Sequence, residues 1–179
     1  MSPRGYALFD TALGRCGLAW GEAGLVGVSL PDPDERAMRA RLARRAGVAA
    51  DGAFATPPSV GAAMASIVAL FAGERRDLME IVLDESRVGA FERAVYAATR
   101  AIPPGRTESY GEIARRIGAE GAAQAVGRAL GANPWPIVVP CHRVTAAGGA
   151  LHGFSAPGGL ETKRRLLVIE GALAPSLFD

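Results

Sequence analysis

Short apolar stretches separated by glycine open the chain. Tyr6-Ala-Leu-Phe9, Gly17-Leu-Ala-Trp20 and Gly24-Leu-Val-Gly-Val-Ser-Leu30 read as strands of an antiparallel meander. Asp32-Pro33-Asp34-Glu35 then sets an N-cap acid, a proline at the first helical position and a glutamate at the third. The helix it predicts stops at Gly47. Val60, Met64, Ile67, Val68 and Phe71 recur at spacings of three and four, the mark of one face of a second helix that ends before Gly73. Glu80-Ile-Val-Leu-Asp84 reads as a short strand. Residues 85–90 lose the periodicity and read as a linker, dividing a mixed α/β domain, residues 1–88, from a mostly helical one, residues 89–179.

The second half begins with Phe91, Val95 and Ala98 on an amphipathic helix. Pro103-Pro104-Gly105 must end it, because Pro103 lacks an amide donor and restricts Ile102. Ser109-Tyr-Gly-Glu112 is a capping box, so a helix starts at Tyr110, with Tyr110, Ile113, Ala114 and Ile117 facing inward. Gly118 to Gly121 breaks it, and a second helix runs from about Ala122 to Gly131 with Ala125, Val126, Ala129 and Leu130 toward the core. Gln124 and Arg128, four residues apart, share another face of this slim, alanine- and glycine-rich helix. Two short helices joined by a glycine-containing turn fit a helix-turn-helix, and an ordinary helical hairpin gives the same pattern.

Composition narrows the class. With 49% hydrophobic and 21% charged residues in 179, the chain reads as a soluble globular protein. Its longest apolar runs, such as Trp135 to Cys141, fall far short of the roughly 18 residues of a bilayer span, so no membrane partner is expected. The first residues lack the apolar core of a secretory signal, which points to the cytoplasm and to reduced thiols at Cys16 and Cys141. The net charge of +2 is too small to mark a nucleic-acid binder, but the positive excess lies in the second half.

The chemistry concentrates in Asn133-Pro-Trp-Pro-Ile-Val-Val-Pro-Cys-His-Arg143. Ile137-Val138-Val139 reads as a short buried strand that delivers Cys141 at its end. A free thiol is mostly protonated at neutral pH unless a base or a positive charge favours the thiolate, and His142 and Arg143 offer both. Strand neighbours point to opposite faces, so proton transfer from Cys141 to His142 needs a bridging water or a turn. Packing is the competing role for a cysteine beside an apolar strand, and it is the expected role of Cys16, which has no such neighbours. A metal site is not expected, since the chain offers only His142, His152 and two distant cysteines.

Thr107 to Ala114, Ala123-Gln-Ala-Val-Gly127, Asn133-Pro134, Pro140-Cys-His-Arg-Val144, Gly158-Gly-Leu160 and Leu166 to Gly171 follow one another in an order and spacing that resembles the C-terminal domain of the O6-alkylguanine-DNA alkyltransferases. The resemblance covers about residues 89–171. It implies a small ribonuclease-H-like α/β domain followed by a helical domain with a helix-turn-helix, acting as a monomer on double-stranded DNA that contains alkylated bases, without cofactor or metal. The first half resembles the family's N-terminal domain only in outline and lacks the zinc ligands of some members.

By that resemblance a damaged guanine is flipped out of the duplex and Cys141 accepts its O6-alkyl group irreversibly, with O4 of thymine as a further substrate. His142 would act through a water as base, oriented by Glu170; Asn133 would support the turn, and Tyr110 would donate toward the purine N3. Gln124, Arg128, Ser109 and Ala123 would meet the DNA, the helix of Gln124 and Arg128 lying in the minor groove. Val144, Phe154, Ser155 and Leu130 would form the substrate pocket, with main-chain groups of Cys141 and Val144 accepting from the exocyclic amine.

Two departures stand out. Gln124 occupies the place where the family usually has an arginine that fills the gap left by the flipped base, with Arg128 one turn later as a partial substitute. The loop from His152 to Gly159 is two residues longer than the common pattern between its serine and its paired glycines, which reshapes the pocket wall. Two rival readings are a cysteine hydrolase using Cys141, His142 and Asn133, and a damage-sensing DNA-binding protein; the presence of the acceptor cysteine argues against the second. Tyr110 and Glu170 also admit purely structural roles, as does Phe154.

Overall fold

The computed structural model describes residues 4–176, so the ends of the two expected domains, 1–3 and 177–179, lie outside it. Three strands, β1 (Gly5–Thr11), β2 (Gly14–Trp20) and β3 (Leu25–Ser29), form the expected antiparallel meander in the order β1-β2-β3. Gly14 takes φ 120°, a conformation open to glycine, and so permits the tight β1–β2 hairpin. Leu18 and Trp20 on β2 are buried against α2 (Pro58–Phe71), while Tyr6 and Ala19 face α1 (Glu35–Ala46). Cys16 is buried beneath the sheet, where desolvation pushes its thiol up to about 11; it behaves as a small apolar residue.

Three details of the first half differ from expectation. The N-cap of α1 is Asp34, whose side chain accepts from the Ala37 amide at 2.9 Å. Asp32 instead accepts from the Asp34 amide at 2.9 Å and pairs with Arg41, so Pro33 precedes the helix. In α2 the buried stripe runs through Val60, Ala63, Ile67 and Leu70, which leaves Val68 38% exposed. Residues 80–84 form no strand: only Leu25 and Leu83 pair, through Leu25 N to Val82 O and Asp84 N to Leu25 O, both 2.9 Å, and Val82 faces solvent.

The second half is helical: α3 (Ala90–Arg100), α4 (Tyr110–Arg116), α5 (Ala123–Gly131) and α6 (Gly159–Ile169). Arg100 is the last residue of α3, three before Pro103. The capping box at Ser109 is complete: the Glu112 amide donates to the serine hydroxyl at 3.2 Å, and the Ser109 amide donates to the Glu112 carboxylate at 2.6 Å. Two two-residue strands, β4 (Glu108–Ser109) and β5 (Val144–Thr145), pair in parallel. That short ladder brings the start of α4 beside the segment that follows Cys141.

The two halves share one hydrophobic core, in which Leu18, Trp20 and Val28 of the sheet join Val95, Ile113, Val126, Trp135 and Val139. Polar contacts cross the same seam. The Trp135 indole donates to the Leu25 carbonyl at 2.8 Å, and the Val28 amide donates to the Pro134 carbonyl at 2.9 Å.

Candidate active site

Ile137-Val138-Val139 is buried as expected but is a tight turn, not a strand. Prolines at 134, 136 and 140 remove the donors a ladder would need. The Val139 amide bonds back to the Trp135 carbonyl at 2.8 Å, and Ile137 sits at φ 78°. A β-branched residue pays roughly 1–2 kcal/mol there, so the turn must be clamped from outside. Asn133 is the clamp: its Nδ2 donates to the Val139 carbonyl and its Oδ1 accepts from the Trp135 amide, both at 2.9 Å.

Cys141 opens a single 3-10 turn, Cys141–Arg143, that leads into β5. The turn separates the paths of consecutive side chains: Cys141 reaches a cavity while His142 and Arg143 are fully buried behind it. His142 Nε2 lies 2.9 Å from Glu170 Oε1. A carboxylate can only accept, so Nε2 carries the proton and Nδ1 holds the basic lone pair; that nitrogen is buried with no protein partner. Burial is the main influence on His142 and lowers its pKa despite Glu170, keeping the ring neutral and able to take a proton.

Glu170 caps the C-terminal end of α6, and its side chain is 2% exposed. Burial alone would raise its pKa, but His142 and Arg143 together hold it down at about 2. Arg143 donates to both carboxylate oxygens, Nε to Oε2 at 2.9 Å and Nη2 to Oε1 at 2.8 Å, and its Nη1 donates to the Ile102 carbonyl at 2.6 Å. The guanidinium is therefore committed to Glu170 and the backbone.

The cation that acts on the sulfur is one that sequence reasoning missed. Lys163, fully buried, donates to the carbonyls of Val144 at 2.6 Å and His152 at 3.0 Å. Burial pushes the Cys141 thiol up, while Asn133, Lys163 and the nearby amides pull it down. The clue was present: Lys163 lies three and four residues before Leu166 and Leu167, on the buried stripe of α6 where a charge is out of place.

The cavity at Cys141 has a volume of about 720 Å³. Of the residues singled out from sequence, Tyr110, Ala123, Gln124, Leu130, Cys141, Phe154 and Ser155 all line it. His142 and Glu170 stand behind the sulfur and Asn133 beneath its turn. Val144 lies outside the lining: its side chain is fully buried and its carbonyl accepts from Lys163. Ser109 is occupied in the capping box, and Arg128 is exposed one turn beyond Gln124 on α5. The Tyr110 hydroxyl donates to the His152 carbonyl at 3.2 Å, and burial raises its pKa, so it remains a donor. Among the described residues no three His, Cys, Asp or Glu side chains converge to hold a metal ion, and no helix is long and apolar enough to cross a membrane.

A thiol at a cavity wall, a neutral imidazole anchored behind it and a phenol across from it form a site for nucleophilic displacement. Residues 90–172 match the family model for the DNA binding domain of 6-O-methylguanine DNA methyltransferase. The methylated-DNA–protein-cysteine methyltransferase of Mycolicibacterium paratuberculosis is 48% identical over 126 residues, 69% of this chain and 74% of that protein. The Salmonella typhimurium protein of the same name is 52% identical over 83 residues, 46% and 47% of the two chains. Among solved structures, Mycobacterium tuberculosis OGT in complex with DNA superposes with a TM-score of 0.73 at 36% identity, covering 97% of this chain and 99% of that one.

Proposed function

Because the chain belongs to the methylated-DNA–protein-cysteine methyltransferases, we propose that it repairs DNA by moving an alkyl group from O6 of guanine onto Cys141, once per molecule. The observation that carries this is the place of Cys141 in the lining of a cavity with ample room for a base, next to a buried His142–Glu170 pair. The Cys141 thiol gives its proton, through a water, to His142 Nδ1. The sulfur then attacks the alkyl carbon in line with the C–O6 bond; the C–S bond forms, the C–O6 bond breaks, and the electron pair passes to the purine. Tyr110 donates toward the purine N3 and so lowers the charge on the leaving group.

We read α4 and α5 as a helix-turn-helix and the first half as a ribonuclease-H-like domain, acting as a monomer in the cytoplasm. Helix α5 enters the minor groove of a duplex containing an alkylated base, with Gln124 beside the vacated stack and Arg128, Ser109 and Ala123 toward the backbone. A flipped base is needed because the target carbon is shielded inside the duplex. The pocket walls are Leu130, Phe154 and Ser155, and O4-alkylthymine is a second substrate.

Mass spectrometry after mixing with a duplex containing O6-methylguanine tests the reading. The Cys141 peptide gains one methylene, stoichiometrically, and Cys141→Ser abolishes the gain. Unmodified protein that instead turns over an ester or amide catalytically would establish the hydrolase.

A further inference from the structure

Cys141 lines two cavities. Besides the cavity described above, a second of about 490 Å³ opens toward the first half of the chain, and the two share Leu130, Gly131, Cys141, Phe154 and Ser155 as a common wall. The Ser155 hydroxyl donates to the Gly131 carbonyl at 3.0 Å within that shared lining. The lining of the second chamber also carries charge, from Asp32, Arg41 and Arg45.

These charges do not balance. Arg41 is paired with Asp32 at 2.6 Å. Arg45, exposed on α1, has no carboxylate partner among the described residues, and the two cations that act on it, Arg41 and Arg44, have its own sign. Its stem is held in place over Gly27 of β3: a Cβ there would stand 2.5 Å from Arg45 Cδ. A cation without a carboxylate partner among the described residues thus lines the same chamber as Cys141.

In an in-line displacement the sulfur, carbon and O6 lie on one line, and the other substituents of that carbon project sideways. With the purine in the first cavity, the second chamber, which Cys141 also lines, offers room for a longer substituent. We propose that this chamber takes the distal end of an O6-alkyl adduct terminating in a carboxylate, with Arg45 as its counter-ion. The inference rests on the alkyl-transfer reading above. A sphere of that volume is roughly 10 Å across, which suits a chain of about five to seven bonds between the reacting carbon and the carboxylate. The chemistry is unchanged: the C–S bond forms, the C–O6 bond breaks, and the carboxylate is carried intact onto Cys141.

The test compares three lesions in one duplex sequence: O6-methylguanine, O6-(5-carboxypentyl)guanine and the neutral carboxamide of the latter. Transfer to Cys141 is followed by peptide mass spectrometry with the full-length protein. The carboxylate reacts about fivefold faster than its amide at low salt, the effect of one partly solvated ion pair. Arg45→Gln removes that preference and Arg45→Lys restores part of it; because the ratio is taken within each variant, folding differences cancel. An unchanged carboxylate-to-amide ratio in Arg45→Gln overturns the proposal. So does a uniform slowing of all three lesions with a weaker salt dependence, which would make Arg45 a contact to a DNA phosphate. Absence of methyl transfer to Cys141 in the unaltered protein would sink the underlying reading instead.

Discussion

Replacing Glu170 by glutamine removes one charge from the buried cluster while keeping its shape. In the native protein this carboxylate accepts from His142 Nε2 and from Arg143 Nε and Nη2. Its pKa of about 2, against 4.5 for a free side chain, corresponds to about 3 kcal/mol of stability at pH 7. The cost is in the range of about 3–5 kcal/mol for removing one partner of a buried ion pair. A depressed carboxylate contributes fully above its unfolded pKa and loses its contribution as pH falls through the folded value. The gap between native protein and Glu170→Gln in urea unfolding is therefore about 3 kcal/mol at pH 7, about 1 kcal/mol at pH 3, and small near pH 2. Other carboxylates titrate alike in both proteins and cancel. A gap below about 1 kcal/mol at pH 7 would refute the argument, as would one of equal size at pH 7 and pH 3.

Two further predictions concern the sulfur and the groove. Lys163→Met removes the buried cation that favours the Cys141 thiolate, so alkylation of Cys141 by iodoacetamide at pH 8 slows about three- to tenfold and its pH profile moves upward; an unchanged profile would clear Lys163 of that role. Gln124→Arg restores a long side chain at the cavity rim and raises the rate on duplex O6-methylguanine relative to the same lesion in a single strand by about tenfold, worth about 1.4 kcal/mol of base extrusion; an unchanged ratio counts against a gap-filling role for residue 124.

Local signals carried most of the fold. The capping box at Ser109 and the glycine after α1 act within a few residues of themselves, and both appear where the pattern put them. The errors came from choices between near-equal local options. Asp32 and Asp34 are both good caps, and the pairing of Asp32 with the distant Arg41 decided between them. The apolar run at 137–139 looks like a strand because periodicity records burial and not hydrogen-bond partners; the prolines were the better guide. At the site, Cys141 and His142 drew attention because they are adjacent in sequence, whereas Asn133 was singled out for its turn through the family resemblance. Arg143 was seen only as a charge near the thiol, since its commitment to Glu170 and Ile102 depends on how α6 returns to the core. Lys163 was overlooked for the same reason: the carbonyls that satisfy it belong to β5 and to the loop at His152.

The indole bond from Trp135 to Leu25 ties the reactive loop to the opposite end of the polypeptide. A fragment trimmed to the matched region, 90–172, would strip away that acceptor and lay bare the underside of the strained bend beneath the nucleophile. The opening hairpins thus serve as the foundation on which the thiol is held, and excising them would cost the enzyme its aim even if all four helices of the fragment survived.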